Sequence, residues 1–470
     1  MEAMRPDVLE RIAAVNVGLE AFAEALREQG AEAVDVDWRP PAAGDEGTLE
    51  ALELLWGRHG ERVAAANREA VERIESASPR AVGVVPAVEV LGVLRDGGTL
   101  LHSGPAIEWS RICDPQRRAL VAACLFEGWA AGRDEAAELL SGGEIELEPG
   151  NEHDHVGPMT GVCSPSMPVW IVEDEAAGVR AYSTLNEGPG NTLWFGVGDD
   201  EAVERLRFMR DELGPALAAL LEREGPVDVF GLAAQGLQMG DDLHIRSQAA
   251  GNLLLRQLAP GLAALGLERV ARFVASNHHF FLNLTMAAAK CASLSASGIE
   301  GASIVTLISR NGTDAGIQLA GLPGRWFTAP AALVSDALLR EGFSEEDAAP
   351  DIGDSAVIEC IGLGGMAVAA APAVAAFFGG NMADVAERTN RMAQITAARS
   401  RRFSLPTLDD VGAPVGIDAR LVADLEIAPQ ITTGILHCSS GVGQVGAGVA
   451  HQPLAPFRAA VHALAAELDS

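Results

Sequence analysis

Gln235-Gly236-Leu237-Gln238-Met239-Gly240-Asp241-Asp242-Leu243-His244-Ile245-Arg246 opens the run of helices that separates the strand-bearing parts of this chain. The stretch gathers an amide, two carboxylates, an imidazole and a guanidinium within twelve residues. Gly236 and Gly240 suit a tight turn or close approach to a ligand. A helix is predicted at once downstream, over 248–264, with Leu253, Leu254, Leu255 and Leu258 as apolar residues. Asp241 or Asp242 is the expected N-cap, which puts His244 and Arg246 in the first two turns. Free N–H groups and an arginine at a helix start form an anion site. The same residues also read as an ordinary helix start with a surface arginine.

Working outward, the downstream pattern predicts another helix at roughly 266–297. Asn283 and Lys290 share a face of it. At most one of the adjacent His278 and His279 can point inward. Upstream, Glu201–Arg223 reads as a long helix. Val169–Val172, Ala181–Leu185 and Thr192–Gly196 read as strands, with the polar loop Asn186-Glu187-Gly188-Pro189-Gly190-Asn191 between the last two. Ile145–Pro149 is a further strand. It leads into Asn151-Glu152-His153-Asp154-His155-Val156-Gly157-Pro158-Met159-Thr160-Gly161, a loop whose glycines suit ligand approach. If His153 and His155 lie on a strand they share a face and suit a metal. Hydrogen bonding to neighbouring backbone is the competing reading.

Farther out, 10–40 reads strand–helix–strand: Ala13–Val17, Leu19–Gln29, Ala33–Val36. Leu49–Ser76 reads as one amphipathic helix and Gln116–Ala131 as a buried one. Ala302–Ile308 and Ala315–Leu319 form a hairpin around Arg310-Asn311-Gly312, with Arg310 at the turn. Ile361–Gly380 is expected to be buried core rather than a membrane span. Ile431–Ile435 is a strand, and the glycines of Gly441-Val442-Gly443-Gln444-Val445-Gly446-Ala447-Gly448 suggest a loop that something approaches closely. Leu454–Leu468 closes the chain as a helix.

These elements predict a multi-domain α+β protein with mixed sheets and a helical domain in the middle of the chain. The expected division is 1–60, a β-α-β extension; 61–150, helical and mixed; 151–230, α/β and completed by 431–470; 231–300, helical; and 301–430, α+β. The chain has 470 residues, 48% of them hydrophobic, and a formal net charge of −31. That charge argues against nucleic-acid binding, and no membrane segment is expected. The six cysteines contain no C-x-x-C pair, so neither a disulfide framework nor a structural zinc site is expected. The start has no signal-peptide character, which fits a cytoplasmic protein.

The strings Cys124-Leu125-Phe126-Glu127-Gly128-Trp129-Ala130, Gly157-Pro158-Met159, Asn186-Glu187-Gly188, Met239-Gly240-Asp241, Phe281-Leu282-Asn283-Leu284, Arg310-Asn311-Gly312, Arg325-Trp326-Phe327-Thr328-Ala329-Pro330, Asp354-Ser355-Ala356 and Gly441–Gly448 resemble, in order, those of YlbE/YahG-like proteins. The resemblance runs from about Asn67 to the C-terminus. One branch of that family is a subunit of an oxamate carbamoyltransferase in allantoin breakdown, cleaving oxalurate with phosphate to oxamate and carbamoyl phosphate. The resemblance therefore implies a small anionic substrate, a partner resembling the succinyl-CoA synthetase α-subunit (FdrA-like), homo-oligomerisation and no cofactor. The Ser-Thr-Arg-Thr phosphate motif of aspartate and ornithine transcarbamylases is absent, so the chemistry would run on another fold.

Carbamoyl transfer passes through a tetrahedral oxyanion and needs donors for it and for phosphate. His244 and Arg246 are the expected catalytic pair. Asn186, Glu187, Gln235, Asp241, Asn283, Lys290, Arg310, Asn311 and Gln444 are the expected substrate-binding residues. Gly157, Gly188, Gly441 and Gly443 are expected to supply loop backbone. One rival is a metal-dependent amidohydrolase using His153 and His155. The other is a non-catalytic subunit that docks an acyl-CoA-synthetase-like partner.

Overall fold

The computed structural model describes residues 13–17, 20–36, 39–375 and 381–470. Near the N-terminus, Ala13–Val17 and Glu32–Val36 pair in parallel around the helix Glu20–Glu28. The predicted helix Leu49–Ser76 is broken into Glu46–Glu53, a π turn Leu54–Arg58 and Gly60–Ser76. Gly57 and Gly60 flank the break, and both lower helix propensity there.

One four-stranded sheet has the order Val179–Thr184, Pro168–Asp174, Arg80–Pro86, Val227–Asp228. Its strands come from both sides of residue 150, so the predicted boundary there cuts through a sheet. The helices Val229–Gln238, Gln248–Ala264, Glu268–Ser276 and Leu282–Ser295 follow, as the middle helical segment requires. The predicted 266–297 helix is interrupted at 277–281. Asn277 Oδ1 accepts the N–H of His279 at 3.0 Å, a side-chain turn that competes with helix.

Leu282–Ser295 is buried on almost every face, its Asn283 and Lys290 included. It packs on Pro168–Asp174 and Val179–Thr184 from one side and on Val305–Asn311 and Val357–Cys360 from the other. Around it, Trp170, Phe280, Phe281, Leu284 and Leu307 belong to one large apolar core. A second core joins Leu52, Leu55, Val305, Ile417, Ile431 and Phe457.

The hairpin Val305–Asn311 and Asp314–Leu319 turns where Asn-Gly predicts. Its first strand runs two residues past the expected turn start and also pairs with Ile352–Gly353. Arg310 therefore sits in a central strand, not at a solvated turn. A third sheet orders Val334–Leu339, Gln444–His451, Gln430–Leu436. The second half of the predicted glycine loop is thus a strand. Its glycines admit a neighbouring backbone: a Cβ at Gly448 would strike the carbonyl of Asp336, and one at Gly446 that of Leu338.

The C-terminal helix Ala455–Asp469 packs on Glu46–Glu53, Leu322–Pro330 and Ala419–Leu425. The segment 431–470 consequently completes the second core and does not close the 151–230 sheet. Residues 361–371 are buried as expected, and 376–380 lie outside the described residues. Among the described residues no helix is long and apolar enough to cross a membrane.

Candidate functional site

The loop between Val229–Gln238 and Gln248–Ala264 is built by its two aspartates. Asp241 Oδ2 accepts the N–H of Ala250 at 2.9 Å and so caps the following helix from outside it. Burial pushes the Asp241 carboxyl up to about 6. Asp242 Oδ1 accepts the N–H groups of His244 (3.2 Å) and Arg246 (2.8 Å), and its Oδ2 accepts the Thr432 hydroxyl at 2.9 Å. Leu243 adopts φ +69° within this turn. The helix starts only at Gln248, so His244 and Arg246 precede it rather than occupying its first turns.

That turn carries His244 to Glu359. Its Nδ1 lies 2.7 Å from Glu359 Oε1, and the carboxyl is fully buried. The same Oε1 accepts the N–H of Gly365 at 2.9 Å, whereas Oε2 has no hydrogen-bond partner among the described residues. The imidazole is held through one nitrogen, leaving Nε2 as the one Glu359 does not engage.

His244 lines a narrow cavity of about 30 Å³ together with Pro158, Met159, Trp194, Phe195, Ile245, His279, Leu282, Ser355, Thr433, Gly434 and Gln444. Several loops meet here, and each has its own anchor. Glu187 is buried and accepts the N–H groups of Leu193 (2.7 Å) and Trp194 (3.0 Å), fixing the turn that presents Trp194 and Phe195. Burial raises the Glu187 carboxyl to about 7. Asp354 accepts N–H groups from Gly104 and Gly157, both at 2.9 Å, the Asn151 amide at 2.7 Å and the Ser309 hydroxyl. Gly157 lies so close to Gly161 that a Cβ at either would strike the other. His279 points inward and His278 is exposed. The Nε2 of His279 is 3.0 Å from the Ile245 carbonyl, and burial lowers its pKa.

The remaining candidates divide between the wall and the frame. Gln444 lies on the wall. Arg246 is not among the lining residues; its Nε is 3.5 Å from Asp241 Oδ1. Asn186 donates to Asn283 Oδ1 at 2.9 Å, and Asn283 donates to the Thr184 carbonyl at 2.6 Å, so both are engaged in joining loop to helix. Lys290 is buried and donates to the Asn151 carbonyl at 3.1 Å; burial lowers its pKa. Arg310 is fully buried in a two-pronged pair with Asp351, at 2.7 and 3.0 Å. Asn311 holds the Pro105 carbonyl and the turn at Thr313. Gln235 is exposed on its helix and donates to its own Gly231 carbonyl. Gly188, Gly441 and Gly443 all take positive φ. Gly188 accepts from the Trp194 indole at 2.9 Å, and Gly443 packs against Phe195 and Val197.

His153 and His155 do not share a strand face. His153 ends a 3-10 turn and pairs with Glu148, whereas His155 is buried beyond Asp154, which has φ +57°. Among the described residues no group of three or more His, Cys, Asp or Glu side chains is placed to hold a metal ion. Sequence reasoning missed Glu359, Met159, Trp194 and Thr433. Glu359 sits inside the apolar run 356–361, where no spacing signals it. A larger groove near Pro40, Pro41, Asn390 and Ile427 carries none of the predicted site residues.

An imidazole held by a buried carboxylate, on a narrow cavity walled by aromatic, hydroxyl and amide groups, is equipped for proton transfer to or from a small polar group. A family model described as oxamate carbamoyltransferase subunit AllG matches residues 145–355. The chain is 43% identical over 410 residues to the oxamate carbamoyltransferase subunit AllG of Escherichia coli K12, covering 86% of this chain and 98% of that one. It is 38% identical over 453 residues to the uncharacterized protein YahG of the same strain, covering 95% and 96%. A crystal structure of a conserved protein of unknown function from Enterococcus faecalis V583 superposes with a TM-score of 0.84 at 37% identity, covering 86% of this chain and 98% of that one. The chain therefore belongs to the family of YahG and the oxamate carbamoyltransferase subunit AllG.

Proposed function

We propose that this chain is a carbamoyltransferase subunit acting on a small ureido or amide carboxylate of the oxalurate and oxamate type, with phosphate or carbamoyl phosphate as the other reactant. The observation that carries this reading is the His244–Glu359 pair opening on a cavity whose wall also holds the Gln444 amide. In phosphorolysis of oxalurate, a phosphate oxygen attacks the ureido carbonyl and its proton passes to His244. The resulting oxyanion needs hydrogen-bond donors. Collapse breaks the C–N bond, and the proton on His244 goes to the departing oxamate nitrogen. Glu359 holds the ring and balances its positive charge in the interval. Asn186, Glu187, Asp241 and Asn283 act through the loops they hold.

The described wall holds no Lys or Arg, although phosphate is strongly anionic. This favours a site completed by Arg246 or by another chain, in keeping with a subunit. A cytoplasmic assembly of several copies with an FdrA-like protein is part of the proposal. The test is phosphate-dependent cleavage of oxalurate, scored by carbamoyl phosphate release, for the chain alone and with its partner proteins. Activity that survives His244→Ala in the reconstituted complex sinks the catalytic reading and favours a docking subunit. Silence in both preparations removes this substrate.

A further inference from the structure

Gln444 has an orientation that its neighbour dictates. Arg340 Nη2 donates to Gln444 Oε1 at 3.1 Å. An arginine only donates, so the amide must offer it oxygen and turn its NH2 the other way. The reverse face of the amide fits: Nε2 lies against Gly434, 3.1 Å from where a Cβ on that residue would stand, and Gly434 lines the cavity. The backbone sets Arg340 beside Gln444. Its N–H donates to the Val445 carbonyl at 2.8 Å, next along the strand from Gln444. Among the described residues the Arg340 guanidinium meets no carboxylate that would draw it away.

The other polar groups on the wall are committed differently. Thr433 donates its hydroxyl to Asp351 at 2.9 Å, which leaves its oxygen as an acceptor. The Trp194 indole N–H is spent on the Gly188 carbonyl. His244, with Nδ1 against Glu359, presents an acceptor at Nε2 when neutral. A fixed amide donor and an imidazole acceptor on one wall complement a C=O beside an N–H.

We infer that Arg340, which does not line the cavity, is a positioning residue that fixes the polarity of Gln444 and so selects ligands offering a carbonyl oxygen. The ligand class rests on the function proposed above; the orientation of Gln444 does not. Two measurements on the full chain separate them. The first is water exchange of the Gln444 side-chain amide by NMR, with its resonances assigned by their loss in Gln444→Glu. Exchange is expected to be about tenfold faster in Arg340→Met than in the wild type, and to stay slow in Arg340→Lys, which also only donates. The second is oxamate affinity, expected to weaken about tenfold in Arg340→Met and to be restored in Arg340→Lys. Equal exchange in wild type and Arg340→Met overturns the inference. Unchanged oxamate affinity in Arg340→Met overturns its selectivity. Failure of the wild type to bind oxamate, with the exchange difference intact, overturns the proposed substrate and upholds the orientation.

Discussion

His244 Nδ1 meets Glu359 Oε1 at 2.7 Å while the second oxygen of that carboxyl has no partner among the described residues. Glu359→Gln is therefore tolerated sterically. The amide oxygen keeps His244 and Gly365, and the NH2 takes the place of the unpartnered Oε2. The substitution removes the negative charge that balances a protonated ring. We expect kcat to fall roughly a hundredfold with KM little changed, the signature of an interaction that matters in the transition state. Steady-state kinetics of the reconstituted complex check this. An unchanged kcat would show that the carboxylate has no part in catalysis.

Asp354 ties four donors from separate segments of the chain to one carboxylate. An asparagine cannot accept from all of them. Its better flip keeps the oxygen toward Gly104, Asn151 and Ser309 and turns an NH2 against the N–H of Gly157. Asp354→Asn should cost about 3 kcal/mol in urea unfolding, the order expected for a buried donor left unpaired. It should also loosen the loop that carries Met159 into the cavity, so substrate affinity falls along with stability.

Much of this fold is legible in the sequence where a local rule decides the outcome. Asn311-Gly312 fixes the hairpin, and the strand–helix–strand unit near the N-terminus follows its apolar pattern. What escapes is decided at long range. Arg310 looks like a turn residue until Ile352–Gly353 pairs with its strand and shuts out water. Gly446 and Gly448 look like loop until the strand Val334–Leu339 lies across them. In the candidate site, His244 stands out within a dense polar cluster, whereas Glu359 hides in an apolar run. The two segments meet only once the chain is folded, where the Gly364 N–H donates to the Asp242 carbonyl at 2.7 Å.

Arg310 provides a sharp test of frame against wall. Its guanidinium is fully buried, pairs with Asp351 and donates to the Gly353 carbonyl at 2.6 Å. Removing one partner of such a pair strands the other charge. Arg310→Met should lower stability by about 3–5 kcal/mol. Thr433 shares Asp351 and lines the cavity, so a secondary loss of affinity is expected. A stable Arg310→Met protein that has lost only phosphate binding would instead make Arg310 an anion clamp.

His155 makes a prediction about pH. It is buried, its Nε2 has no partner among the described residues, and burial pulls its pKa from the ordinary 6.5 down to about 3. Above pH 6.5 the ring is neutral whether the chain is folded or not, and it costs nothing. Below that value the unfolded chain binds a proton that the folded chain refuses until about pH 3. The stability contribution is therefore complete above pH 6.5 and is lost as the pH falls toward 3. Between pH 6.5 and 5 the loss from this one group is about 2 kcal/mol. His155→Gln carries no titrating ring, so it adds a pH-independent packing cost but removes that slope. Urea unfolding of both proteins at pH 8 and pH 5 should show the wild type losing about 2 kcal/mol more than the variant. Equal losses would mean that the imidazole can take up a proton in the folded chain, which requires water or a carboxylate to reach Nε2.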